Sequence, residues 1–182
     1  MKHNNFKQRV LTLALAAVFV FGSVAIGVNA YAAAATSTAT STVIAPIAIT
    51  APVVLSFGKF SSRLAGTIKV DPNNTITVTG GVLSGTGATA TAARFDVTGD
   101  DSNTYSITHS GATNLTDGAT TATLMALTKV SALTAIASTT NVDSGTLTAG
   151  AQSIFVGGTL TVAANQKAGI YTGDVTVTVE YN

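Results

Sequence analysis

The sequence predicts an all-β chain whose antiparallel strands fold as a sandwich or barrel. Three observations carry this. Beyond its first thirty-odd residues the chain is dominated by Thr, Ala, Gly, Val and Ser, with few charges and no Trp. Thr and Val suit a pleated, half-buried surface, and Gly supplies turns. Short runs alternate apolar and polar residues along much of the length, and turn-like segments separate them.

The first element is not part of this sheet structure. Lys2, Lys7 and Arg9 precede an apolar run from Val10 to Val28, and Ala30-Tyr31-Ala32 follows as a small-x-small cleavage pattern. This is the layout of a secretory signal peptide spanning residues 1–32, cut after Ala32. The run is long enough to cross a bilayer, but Gly22, Ser23 and Gly27 interrupt it and a cleavage site follows. Membrane contact is therefore expected only through the signal peptide during export. No Cys stands after the run to carry a lipid.

Residues 33–52 are expected to form a flexible N-terminal extension. They begin with low-complexity Ala, Ser and Thr, which cannot pack alone. Val43, Ala45, Ile47 and Ile49 then alternate with Ile44, Pro46, Ala48 and Thr50, so the odd-numbered set makes one apolar face. Pro46 has no N–H to donate, so this strand is expected to lie at an edge or to turn its proline away from the ladder.

Residues 53–182 are expected to form one domain, being too few for two ordinary ones. Strands are predicted at VVLSF (53–57), GTIKV (66–70), TITVT (75–79), RFDVT (94–98), YSITH (105–109), SIFVG (153–157) and TLTV (159–162). Turns are predicted at Asp71-Pro72-Asn73-Asn74, Thr79-Gly80-Gly81, Gly99 to Asn103, and Ala163 to Gln166. Residues 122–138 mix helix formers with frequent Thr and are read as strands, with a short helix as the alternative. From Tyr171 onward, Tyr171, Gly173, Val175, Val177, Val179 and Tyr181 alternate with polar residues to the end of the sequence. This is a period-two strand.

Several function classes find no support in the residues. The leader carries three of nine Lys and Arg, so six then face eight Asp and Glu, a net charge of about −2. No basic patch suits nucleic acid. With no Cys, no disulfide supports the exported fold. Beyond the leader His109 is the only histidine; a lone imidazole at a strand end reads as a surface residue, not a base or metal ligand. Gly85-Thr86-Gly87 precedes no helix that could hold a phosphate. Asp96, Asp100, Asp101 and Asn103 read as turn residues rather than a Ca²⁺ loop. Asn73-Asn74-Thr75 and Asn114-Leu115-Thr116 match the glycosylation sequon, relevant only in a eukaryotic secretory route. No enzyme, metal or cofactor is expected.

Burying Val175, Val177, Val179 and Tyr181 would contribute about 5–10 kcal/mol, comparable to the stability of a small domain. The face must be covered. LSFGKF at 55–60, FDVTGDDSNTYSIT at 95–108 and SIFVGGTLTVAANQKAGIYTGDVTVTVEYN at 153–182 resemble a bacterial family catalogued as domain of unknown function 4402. That family in turn resembles the spore-coat-U-like pilin subunits of archaic chaperone–usher systems, which end in a GxYxD-like turn and an alternating strand. Chaperone–usher pilins more widely carry a penultimate Tyr and a Gly fourteenth from the end, matched here by Tyr181 and Gly169, with Tyr171 in the GIYTG turn. Well-studied pilins usually contain a disulfide, and here the sequence departs from them.

The resemblance implies an immunoglobulin-like, pilin-like sandwich that lacks one strand. A periplasmic chaperone would fill the gap during transit, and at the outer-membrane usher the N-terminal extension of another subunit would replace it. Val43, Ala45, Ile47 and Ile49 would then be the donor residues, and Val175, Val177, Val179 and Tyr181 would border the acceptor groove. The partners would be copies of the chain or sister subunits, and the place of action the cell surface or beyond. The alternative is a secreted monomeric sandwich binding a carbohydrate or protein, with Val43–Ile49 folded into its own sheet. Few exposed aromatics are available for that role.

Overall fold

In the computed structural model, residues 32–85, 89–119, 121 and 123–182 are described. The signal-peptide expectation thus falls almost wholly outside the described residues, as do Thr86 and Gly87. Every regular element described is a strand, so the all-β prediction holds. Residues 32–46 form no helix or strand and are exposed throughout.

The ten strands are β1 (Ala48–Val53), β2 (Phe60–Val70), β3 (Ile76–Ser84), β4 (Ala93–Thr98), β5 (Thr104–Gly111), β6 (Asn114–Thr116), β7 (Leu124–Ala132), β8 (Ser144–Thr146), β9 (Ala151–Val162) and β10 (Val175–Tyr181). They make a seven-stranded sheet and a three-stranded sheet of order β10-β5-β8, with every pairing antiparallel. β9 is the trunk of the larger sheet. On one side β4 pairs its first half and β2 its second half, while β7 runs along the other side. The partners change over at Gly157 and Gly158; a Cβ on Gly157 would strike the Val70 carbonyl, so a larger residue would push β2 off the trunk.

The core sits between the sheets in two clusters. Phe95, Val97, Ile154 and Val156 of the large sheet meet Tyr105, Ile107, Val177 and Val179 of the small one. The second cluster gathers Ile68, Leu115, Met125, Leu127 and Leu160, and Leu55 and Val175 pack against both. Period-two burial produces this: along β5 Tyr105 and Ile107 are buried, and along β10 Val177 and Val179 are buried between exposed Thr176, Thr178 and Glu180.

Several predicted elements change in detail. SIFVG and TLTV are one strand, β9, because the intervening Gly pair keeps extended backbone under a close neighbour. Thr79-Gly80-Gly81 is not a turn but the middle of β3. There Ser62 pairs Val82 and Gly66 pairs Gly80, so three residues of β2 bulge opposite Gly81. VVLSF contributes only Val53 to β1; beyond it Ser56 makes an isolated bridge to Thr91. Of the stretch 122–138, the described residues 123–138 supply β7 and no helix. The three-residue strands β6 and β8 are too short to show a period and escape sequence reading.

β1 is an edge strand paired with β4 alone. Pro46 lies just before it, and Pro52 lies where its register shifts, positions where a missing N–H costs the ladder little. The expected boundary between residues 52 and 53 falls inside this strand.

Candidate functional site

The C-terminal strand exposes one backbone edge. Ala112 N–H donates to the Asp174 carbonyl at 2.7 Å and Asn182 N–H to the Thr104 carbonyl at 3.2 Å. These two bonds fix the phase of the β5–β10 ladder. Thr176, Thr178 and Glu180 turn their backbone groups toward β5, and Val175, Val177, Val179 and Tyr181 turn theirs away from it. No described strand pairs with that outer edge. The ladder begins at Val175, later than the alternation from Tyr171 suggested, because Thr172 instead bridges Thr116.

At the Val175 end of this edge lies an apolar groove of about 790 Å³. Leu115, Met125, Leu127 and Leu160 line it, together with Leu55 and Phe57 from the segment joining β1 to β2 and Phe60 at the start of β2. It is bounded further by a strap, residues 166–173, leading into β10. The strap is held by its own network. The Tyr171 hydroxyl donates to the Lys167 carbonyl at 2.9 Å and accepts from Gln166 Nε2 at 3.0 Å. Lys167 Nζ donates to Asp117 Oδ2 at 2.9 Å, while Asp117 Oδ1 accepts from the backbone of Thr123 and Ala119. The hydrogen bond from Lys167, then that from Thr123, holds the Asp117 carboxyl down at about 2.

Of the motif glycines, Gly169 has open space around it: the nearest atoms to an added Cβ, Asp117 Cβ and Tyr171 Cε2, are at 3.9 Å. Gly173 is the confined one. A Cβ there would lie 2.8 Å from Leu115 Cδ2 and 2.9 Å from Ala112 Cβ.

The four candidate donor residues have separate surroundings. Val43 is 93 % exposed and Ala45 is exposed, whereas Ile47 and Ile49 pack against the cluster that holds Val97, Val177 and Val179. Tyr181 ties the two ends of the domain together. Its hydroxyl donates to the Ala45 carbonyl at 2.9 Å and accepts from Asp100 N–H at 2.7 Å. Beyond the penultimate position of Tyr181, no local pattern announces this contact.

His109 is not the surface strand-end residue expected. It shares the inward face of β5 with Tyr105 and Ile107 and is half-buried. Its Nε2 lies 2.9 Å from the Val142 carbonyl and 3.0 Å from Ser131 Oγ, joining β5 to β7 across the core. The aspartates near residue 100 act within a turn: Asn103 Nδ2 donates to Asp100, and Asp101 caps the N–H groups of Ser102 and Gly150. Among the described residues no three His, Cys, Asp or Glu gather as a metal site.

An antiparallel all-β sandwich with an unpaired C-terminal edge beside an apolar groove is thus the class of molecule on view. The chain belongs to the family described as a domain of unknown function (DUF4402), which matches residues 47–181. No curated protein matches it.

Proposed function

We propose that this protein is a structural subunit of a surface fibre, exported through the periplasm and joined to its neighbours by strand addition. The single observation that carries the reading is the free backbone edge of Val175–Tyr181, whose Val175 end adjoins a groove onto the core. An edge of unpaired N–H and C=O groups recruits a strand from another chain, and alternate pockets select its side chains. A head-to-tail contact of this kind does not close on itself and so builds filaments. In this reading a periplasmic chaperone guards the edge during export, an outer-membrane usher exchanges it, and an N-terminal segment of another copy or a sister subunit fills it.

A second reading has its own observation. β1 pairs with β4 of the same chain, as a secreted monomeric sandwich that binds a carbohydrate or protein would require.

The test is to export the full chain in a bacterial periplasm and run it unheated on a denaturing gel, beside a form lacking residues 33–46. The fibre reading expects a ladder of multimers that collapses on boiling and is missing from the shortened form. Monomer alone from both chains would reject it and favour the monomeric sandwich.

A further inference from the structure

Resting on the fibre reading, we infer that the segment one copy lends to the next is Thr36–Ile44, and that it adds antiparallel to β10 with Val43 opposite Val175. The downstream stretch that carries the strongest apolar alternation is already engaged. Ile47 and Ile49 lie against the chain's own core, Ala48–Val53 pairs with β4, and the Ala45 carbonyl is held by Tyr181. Lending that stretch would break this ladder and uncover the core it closes. Residues 32–44, the described chain upstream of Ala45, lack regular structure and are exposed.

The upstream sequence has a period of its own. Thr36, Thr38, Thr40, Thr42 and Ile44 are β-branched, and they alternate with Ser37, Ala39, Ser41 and Val43. β-branched residues favour extended backbone, while such a segment cannot pack until a sheet receives it. Length permits the transfer. Nine residues extend about 30 Å at roughly 3.3 Å each, more than the approximately 23 Å of the seven-residue β10.

The shape of the site selects the face and the register. Val177 and Val179 are only 6 % and 8 % exposed, so a strand beside them has little depth to fill and needs small inward side chains. Ser41 and Ala39 supply these. The open cavity lies at Val175 and needs a larger group, which Val43 supplies. Placing Val43 opposite Val175 sets Ser41 opposite Val177 and Ala39 opposite Val179 in an antiparallel pair. These three pairs meet the outward backbone groups of β10 as hydrogen-bonded pairs. Thr42 then faces Thr176, and Thr40 faces Thr178, as the closely spaced pairs whose side chains touch on the outer surface.

The chain contains no Cys, so engineered pairs report without background. Thr40→Cys with Thr178→Cys, and separately Thr42→Cys with Thr176→Cys, would be exported in the full chain and oxidised. Cβ atoms of such facing residues lie within disulfide reach. Ala48→Cys with Thr178→Cys tests the downstream segment instead. The expected result is a reducible ladder extending beyond dimers from either threonine pair, with single-Cys chains stopping at dimers. A ladder from the Ala48 pair alone, or a cross-linked monomer from the threonine pairs, overturns the inference. If no pair cross-links while the unaltered chain still forms heat-sensitive multimers, the register and segment are wrong but the fibre reading stands. If no multimers form at all, both fall.

Discussion

Tyr181 joins three parts of the domain through one hydroxyl, since Ala45 accepts from it and Asp100 donates to it. Tyr181→Phe keeps the ring over Gly99 and removes both bonds. Each is partly accessible to water, so the expected loss in a urea unfolding curve is about 1–2 kcal/mol. Residues 42–46 should also become more sensitive to protease. A second comparison separates sequence resemblance from steric need. Gly169 stands in the position shared with chaperone–usher pilins, yet its surroundings leave room for a methyl group, whereas Gly173 is wedged against Leu115 and Ala112. Gly169→Ala is expected to change stability by less than about 0.5 kcal/mol. Gly173→Ala should cost about 1–3 kcal/mol through overpacking, measured in the same unfolding series. The sequence resemblance singles out Gly169, whereas the packing shows Gly173 to be the confined one.

The strap before β10 is the element with an electrostatic lock. Its pH dependence follows from the depressed carboxyl of Asp117, held near 2 first by Lys167 and then by the Thr123 N–H. A carboxyl lowered by folding stabilises the folded state above its unfolded value, about 3.9. That contribution disappears as pH falls through 2. The urea midpoint of the native chain should therefore exceed that of Asp117→Asn at pH 6, and the difference should close between about pH 4 and pH 2. A gap that persists unchanged to pH 2 would mean that the carboxylate charge does not hold the strap. Legibility differed sharply between elements. β4, β5 and β10 could be read from alternation because one face of each is buried and the other exposed. β9 has partners on both sides and the core beneath it, and the two glycines at its centre break the alternation, so in sequence it divides into SIFVG and TLTV. The strap's lock depends on Asp117 and Lys167, fifty residues apart, and no local pattern announces such a pair.

At the scale of the whole molecule, the sequence read as a detachable extension followed by a domain, whereas β1 is already part of the large sheet. The alternation of Val43–Ile49 was legible; which portion of it is held within the chain was not, because that depends on the partner strand β4 and on Tyr181. Two deletions distinguish the parts. Removing residues 33–46 takes away only exposed chain and one hydrogen bond to Tyr181, and should shift thermal unfolding by no more than a few degrees. Removing residues 33–53 also strips β1, unpairs the edge of β4 and uncovers the core beneath Ile47 and Ile49. Two half-buried isoleucines and their ladder represent about 2–4 kcal/mol, or roughly 10 °C in a domain of this size. Calorimetry of the monomeric forms is the measurement. Equal unfolding temperatures for the two deletions would mean that β1 adds nothing to its own domain and is free to leave. A large difference, with multimers lost already in the shorter deletion, would separate the strand that completes the fold from the segment that joins one copy to the next.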